Sequence, residues 1–189
     1  MNIQRGFTLH ELIVSLAVFA TIASMSFSTF SSFIHRNKMD IIGNSFVSDL
    51  YFARGSSINY NANITVCASS DLIHCENTKD WSKHNIIILL DRNSNLTLDE
   101  DDRILKIINL SKETNSLVWS SFGNASYLQW IGSGTTYFQN GNFTICPTNK
   151  NPKFAKKIIM NATGRLYFGL DRNHDGIQEG TDGKNVVCL

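Results

Sequence analysis

The chain has 189 residues, with 17 Lys+Arg against 16 Asp+Glu and a formal charge of +1. That length fits one domain, or one domain with an appendage, and the charge balance excludes a general electrostatic attraction to nucleic acid. No nucleophile constellation or phosphate-binding loop is present. His10-Glu11 starts an H-E-x-x-H pattern, but Val14 stands where the second His is needed, so no enzymatic activity is expected.

The first predicted element is a helix over 8–57. From Leu12 to Ile34 there is no charged residue, and a helix over that run would be roughly 35 Å long, enough to span a bilayer. A cleaved secretory signal peptide fits poorly, because the run exceeds the roughly 7–15 residues of an h-region and lacks a clear A-x-A site. Glu11 stands at the mouth of the run. A carboxylate there costs about 2.5–3.5 kcal/mol or more, so it calls for a partner. Beyond the run, Met39, Ile42, Phe46, Leu50 and Ala53 recur at helical spacing, and Ile41, Val47 and Tyr51 widen the stripe. Gly55-Ser56-Ser57 is the expected end. The first half of this helix would lie in a membrane or filament core, and the second half would pack under a sheet.

After Asn59 the pattern changes to short runs rich in Ile, Val, Phe and Thr, separated by Asn, Gly, Asp and Ser. Strands are expected at 63–68, 85–90, 103–110, 117–122, 127–131, 142–146, 156–160 and 165–170. With no second long helix, the class is α+β: a long N-terminal helix packed on antiparallel sheets.

Cys67, Cys75, Cys146 and Cys188 all follow the apolar run. An even count in a domain facing an oxidising compartment favours two disulfides over zinc, for which no C-x-x-C spacing is present. Three pairings are possible; Cys67–Cys75, closing a short loop, and Cys146–Cys188, pinning the C-terminus, are favoured. Two acidic loops carry calcium-type spacing. "DRNHDGIQEGTD" places Asp171, Asn173, Asp175, Gly176, Glu179 and Asp182 at positions 1, 3, 5, 6, 9 and 12. "DRNSNLTLDEDD" offers Asp91, Asn93, Asn95, Asp99 and Asp102, but its turn residue is Leu96 rather than Gly. Calcium is the candidate ligand, chiefly for the first loop; otherwise no cofactor is expected, and both loops read as solvated Asx-rich turns. The N-x-S/T triplets at Asn63 and Asn142 are a by-product of an Asn-rich sequence.

"RGFTLHELIVSLAVF" closely resembles the type IV pilin signature. That resemblance implies a leader of residues 1–6, cut by a prepilin peptidase between Gly6 and Phe7, with N-methylation of Phe7. It also implies that Glu11 pairs with the Phe7 amine of a neighbouring subunit, so that two charges costly in lipid neutralise one another and set axial register. Residues 7–34 would form the transmembrane or filament-core helix, and 35–189 an amphipathic helix plus a β-rich periplasmic domain. The stretch "ITVCASSDLIHCENTKDWSKHNIIILLDRNSNLTLDEDDRILK" resembles the globular domain of the GspH/FimT family, in its paired cysteines, Asp80-Trp81, the apolar strand ending in Asp91 and the acidic loop. "NFTICP" and "KKIIMNATGRLYF" resemble the family's later blocks.

The resemblance implies a minor pilin or minor pseudopilin at the tip of a type IV pilus or type II secretion pseudopilus, helping to prime assembly. Its partners would be other pilin or pseudopilin subunits, the prepilin peptidase and an inner-membrane assembly platform. The chain would be a single-pass protein of the bacterial inner membrane. The alternative is a DNA-uptake pilin. Such pilins carry a basic G-R-x-R, whereas here Gly164-Arg165-Leu166-Tyr167 lacks the second Arg. Lys153, Lys156, Lys157 and Arg165 remain as a modest basic patch, read as a solvated face, so DNA is not expected as a partner.

Overall fold

Helix α1 spans Leu9–Tyr60 in the computed structural model, which describes residues 6–110, 112, 114–136 and 138–188, without the side chains at 24–29. Eight strands follow: β1 (Ile64–Ser69), β2 (Asn85–Leu90), β3 (Arg103–Ile108), β4 (Thr114–Ser121), β5 (Leu128–Trp130), β6 (Gly141–Pro147), β7 (Lys156–Met160) and β8 (Leu166–Phe168), with a 3-10 turn at Pro152–Phe154 before β7. They form two four-stranded sheets, ordered β3-β2-β1-β5 and β4-β6-β7-β8, with antiparallel pairing throughout. All eight expected strands are present, with ends shifted by up to three residues, and the α+β class holds.

The chain divides into two units, 1–37 and 38–189. The first holds the start of α1. Among its described side chains, Leu9, Leu12, Ile13, Val14, Leu16, Val18, Phe19, Ile22, Phe30 and Phe33 are all exposed. A helix that is apolar all round needs lipid or protein to cover it. Two of its hydroxyls bond within the helix: Ser15 Oγ donates to the Glu11 carbonyl at 2.7 Å and Thr21 Oγ1 to that of Val18 at 2.8 Å. Among the described residues no helix is long and apolar enough to cross a membrane; the apolar run of the sequence continues into 24–29, where side chains are not described.

In the second unit the core of the helical stripe faces the sheets as its periodicity requires, while Ile41 and Tyr51, expected to widen it, are exposed. Met39, Phe46, Leu50 and Ala53 are buried, with Ile42 packed beside them. Phe46 meets Phe143 of β6 edge-on at 5.0 Å, Trp81 meets Phe143 at 5.2 Å, and Trp119 stacks on Phe143 at 4.4 Å. These two indoles are anchored: Trp81 Nε1 donates to the Ser126 carbonyl and Trp119 Nε1 to that of Tyr127, both at 3.1 Å. Gly43 lets the helix come close to the second sheet, since a Cβ there would meet Phe168 at 3.2 Å and Lys156 at 3.3 Å.

The helix passes the expected stop at Gly55-Ser56-Ser57. Ser56 and Ser57 are buried, and Ser57 Oγ donates back to the Arg54 carbonyl at 2.8 Å, which keeps it compatible with the helix. The end comes at Asn61, left-handed at φ 46°. Its N–H bonds the Ile58 carbonyl, and that of Ala62 bonds Ser57, the Schellman pattern. Strands β1 and β2 are buried on both faces because a second small cluster of Cys67, Ile87 and Leu89, covered by Leu72, Leu98 and Tyr127, lies on the side away from α1.

Candidate functional site

The start of α1 carries the first candidate site. Thr8 N–H donates to Glu11 Oε2 at 3.0 Å and Thr8 Oγ1 to the same oxygen at 2.9 Å, while Glu11 N–H donates to Thr8 Oγ1 at 3.3 Å. This is a capping box: both side chains satisfy amides that the first helical turn leaves free. Its T-x-x-E signature stands in the sequence at Thr8 and Glu11, and the sequence reading missed it. Glu11 therefore has a local structural partner, and its carboxylate is held at the helix N-terminus, where negative charge is favoured. Phe7 is 85% exposed and nothing lies within 4 Å of a Cβ placed on Gly6, so the 6–7 bond stands clear of the helix. Residues 1–5 of the expected leader lie outside the described residues.

The four cysteines form Cys67–Cys75 and Cys146–Cys188. The first closes a loop braced by Asp71, which accepts from the Ile73 and His74 amides at 2.8 and 2.9 Å and pairs with His74 Nδ1 at 2.7 Å. The His74 ring, then those amides, hold the Asp71 carboxyl well below the ordinary carboxylate range. The second bridge ties the C-terminal segment to β6 over a small cluster of Cys146, Ala155 and Val186.

The two acidic loops share one backbone design. Asp91 accepts from the Asn95 and Leu96 amides, and Asp171 from those of Asp175 and Gly176. Leu96 (φ 63°) and Gly176 (φ 88°), the sixth residues of each loop, are both left-handed. Leu96 takes the left-handed turn without being Gly; a fully buried Asp91, also bonded by Thr65 Oγ1 at 2.8 Å, fixes it. The remaining donors serve within the loops. Asn93 and Asn95 amides donate to Asp99, Asn173 and Asn185 to Asp175, and Asp182 accepts from the Lys184 amide. Glu179 is buried and its backbone N–H bonds the Leu170 carbonyl. The Asn185 amide above all holds the Asp175 carboxyl below its ordinary value. Among the described residues no group of three or more His, Cys, Asp or Glu side chains is placed to hold a metal ion.

Asp102 is the exception to this satisfaction. Its Oδ2 is buried without a hydrogen-bond partner. Burial first, then the Asp99 and Asp91 carboxylates alongside, push its carboxyl above the ordinary range. A raised carboxyl opposes folding only where it is ionised, so the penalty grows as pH rises through its folded pKa and is absent below the unfolded value of about 3.9. Asp102→Asn, measured by urea unfolding in chelator-containing buffer, is therefore expected to stabilise the protein at pH 7 by about 0.5–1.5 kcal/mol, the worth of one hydrogen bond from the new amide. At about pH 3 the gain should vanish; an equal gain at both pH values would contradict this account.

Lys156 is withdrawn from the expected basic patch. Lys156 pairs with Asp40 of α1 and its side chain is only 11% exposed. Lys157, next on β7, faces the opposite side of the sheet; its backbone N–H donates along the sheet edge to Gln178 Oε1 at 2.7 Å. Arg165 lies beyond, in the exposed turn before β8, with its N–H bonded to Asn161. Strand alternation separates Lys156 from Lys157; Arg165 shares the face of Lys157 by the register of β7 with β8, but stands at the other end of that pairing.

An apolar, carboxylate-capped helix start joined to a helix-on-two-sheets domain defines a pilin-like subunit. The chain belongs to the GspH family: residues 43–164 match the family model described as type II transport protein GspH. Residues 1–27 match the prokaryotic N-terminal methylation motif. Among solved structures the chain is similar to the type IV minor pilin FimU of Pseudomonas aeruginosa PAO1, at 18% identity and a TM-score of 0.54, over 73% of this chain and 92% of that one. It is also similar to the minor pseudopilin EpsH of the Vibrio cholerae type 2 secretion system, at 16% identity and a TM-score of 0.48, over 68% and 94%. None of the curated protein sequences matches the chain.

Proposed function

We propose that this chain is a minor structural subunit of a type IV pilus or type II secretion pseudopilus, placed at the filament tip, where it helps to prime assembly. Prepilin peptidase would cut between Gly6 and Phe7, and Phe7 would be methylated. Residues 7–34 would anchor the chain in the inner membrane and hold it to neighbouring subunits and the assembly platform, with the β-domain in the periplasm. The observation that carries this reading is the start of α1: Gly6-Phe7 lies immediately before a helix whose large apolar side chains are exposed on every side and whose one carboxylate sits in the first turn. Such a surface is stable only when lipid or like helices cover it.

N-terminal and intact-mass analysis of membrane-derived protein is the test. The mature chain is expected to begin at methylated Phe7. Gly6→Val should leave the leader in place, because nothing in the fold crowds position 6 and its small size would matter only to the peptidase. A mature chain starting elsewhere defeats the reading.

The alternative, a DNA-uptake pilin, draws little support from the geometry. Losing Arg5 with the leader would leave 16 basic against 16 acidic residues, and Lys156 is already paired. Phosphate binding needs a concentrated basic surface. In an anisotropy titration at two salt concentrations, the mature chain is expected to bind DNA weakly or not at all at physiological salt. Micromolar binding that weakens with salt and is lost in Arg165→Ala would reverse the ranking.

A further inference from the structure

The second sheet has two faces. The row Trp119, Phe143, Ile158 and Phe168, paired across β4, β6, β7 and β8, faces the core and α1. The next row, Ser120, Asn142, Ile159 and Tyr167, is in register across the same four strands and must face the other way. At this row the outer face opens into a recess of about 370 Å³, within the roughly 300–1,000 Å³ of small-ligand sites.

Three properties of the recess point to one ligand chemistry. Two aromatic rings stand at it, Phe122 83% exposed and Tyr167 47% exposed. The lining also includes Asn140, Asn142, Ser120 and Thr181, and none of these four side chains has a hydrogen bond among the described residues, although nearly every Asn of the acidic loops is engaged. Finally, no lining residue carries a charge, which excludes phosphate, carboxylate or ammonium as the recognised group. Amides and hydroxyls match the hydroxyls of a sugar, and an open aromatic face matches the C–H face of a pyranose ring.

We propose that this recess binds a neutral saccharide, held between Phe122 and Tyr167 and hydrogen-bonded by the Asn140, Asn142, Ser120 and Thr181 side chains. The site is separate from α1 and does not depend on the chain's place in a filament.

The experiment uses the full chain in a detergent without a sugar headgroup, titrated with maltotriose, cellotriose and chitotriose and followed by saturation-transfer NMR from the sugar side. At least one is expected to bind saturably, with a dissociation constant on the order of 1 mM or tighter. Phe122→Ala and Tyr167→Ala should each weaken it about tenfold through the loss of a stacking ring, while Tyr167→Phe, which keeps the ring, should retain it. Both side chains are exposed, so the variants should keep the near-ultraviolet circular dichroism of the buried Trp81, Trp119 and Trp130. The proposal is overturned if none of the three sugars binds saturably, or if the Phe122→Ala/Tyr167→Ala double variant, still folded by that spectrum, binds as the parent does.

Discussion

Glu11→Ala is expected to leave the chain in the membrane but to abolish most of its incorporation into filaments or initiation complexes, read by crosslinking to neighbouring subunits. Two losses combine. The carboxylate half of the capping box disappears, because Thr8 N–H and Thr8 Oγ1 lose their acceptor while the backbone N–H of residue 11 keeps Thr8 Oγ1; the loss is about 0.5–1.5 kcal/mol. If the carboxylate also pairs with a neighbour's Phe7 amine in an apolar setting, its removal leaves a charge uncompensated, a loss on the order of 3–5 kcal/mol. Glu11→Gln separates the two roles, because Gln also serves at the third position of a capping box but carries no charge. Glutamine should therefore fail nearly as badly as alanine. Should Glu11→Gln assemble normally while Glu11→Ala does not, Glu11 is a helix cap and the intersubunit pairing is wrong; normal assembly of both would remove Glu11 from assembly altogether.

The second large effect concerns the disulfides. Cys146→Ser with Cys188→Ser opens a loop with a sequence separation of 42, against 8 for the Cys67 and Cys75 pair. On the chain-entropy estimate the losses are about 4 and about 2.6 kcal/mol. For a domain of this size each kcal/mol lowers the melting temperature by roughly 2–4 °C. The C-terminal bridge also holds Val186 over Ala155, so its removal frees an apolar contact as well as the chain end. Thermal unfolding of the two double variants in non-reducing buffer should rank them in that order. A larger drop for the short loop would mean that the buried Cys67 side of the first sheet, with Ile87 and Leu89 around it, depends on its bridge for packing rather than for chain entropy.

Local patterning determined much of this protein. The 3.6-residue recurrence from Met39 to Ala53 specifies which side of α1 is buried, because each turn of a helix repeats the same environment whatever it packs against. The short runs rich in Ile, Val, Phe and Thr mark the strands, and the even cysteine count anticipated the bridges. Gly6, Phe7 and Glu11 are likewise consecutive features of one segment, so their pattern is readable without a fold. Tertiary structure decided what depends on register between distant segments. Lys156 and Lys157 are neighbours in sequence, yet strand alternation and the approach of Asp40 place them on opposite faces. The turn at Leu96 has the left-handed form expected of glycine because the buried Asp91 carboxylate collects its amides. Ser120, Asn142, Ile159 and Tyr167 come from four strands and meet only through the pairing of the second sheet. No local propensity encodes that meeting: a one-residue slip in any of the three pairings would turn the row over to the other face.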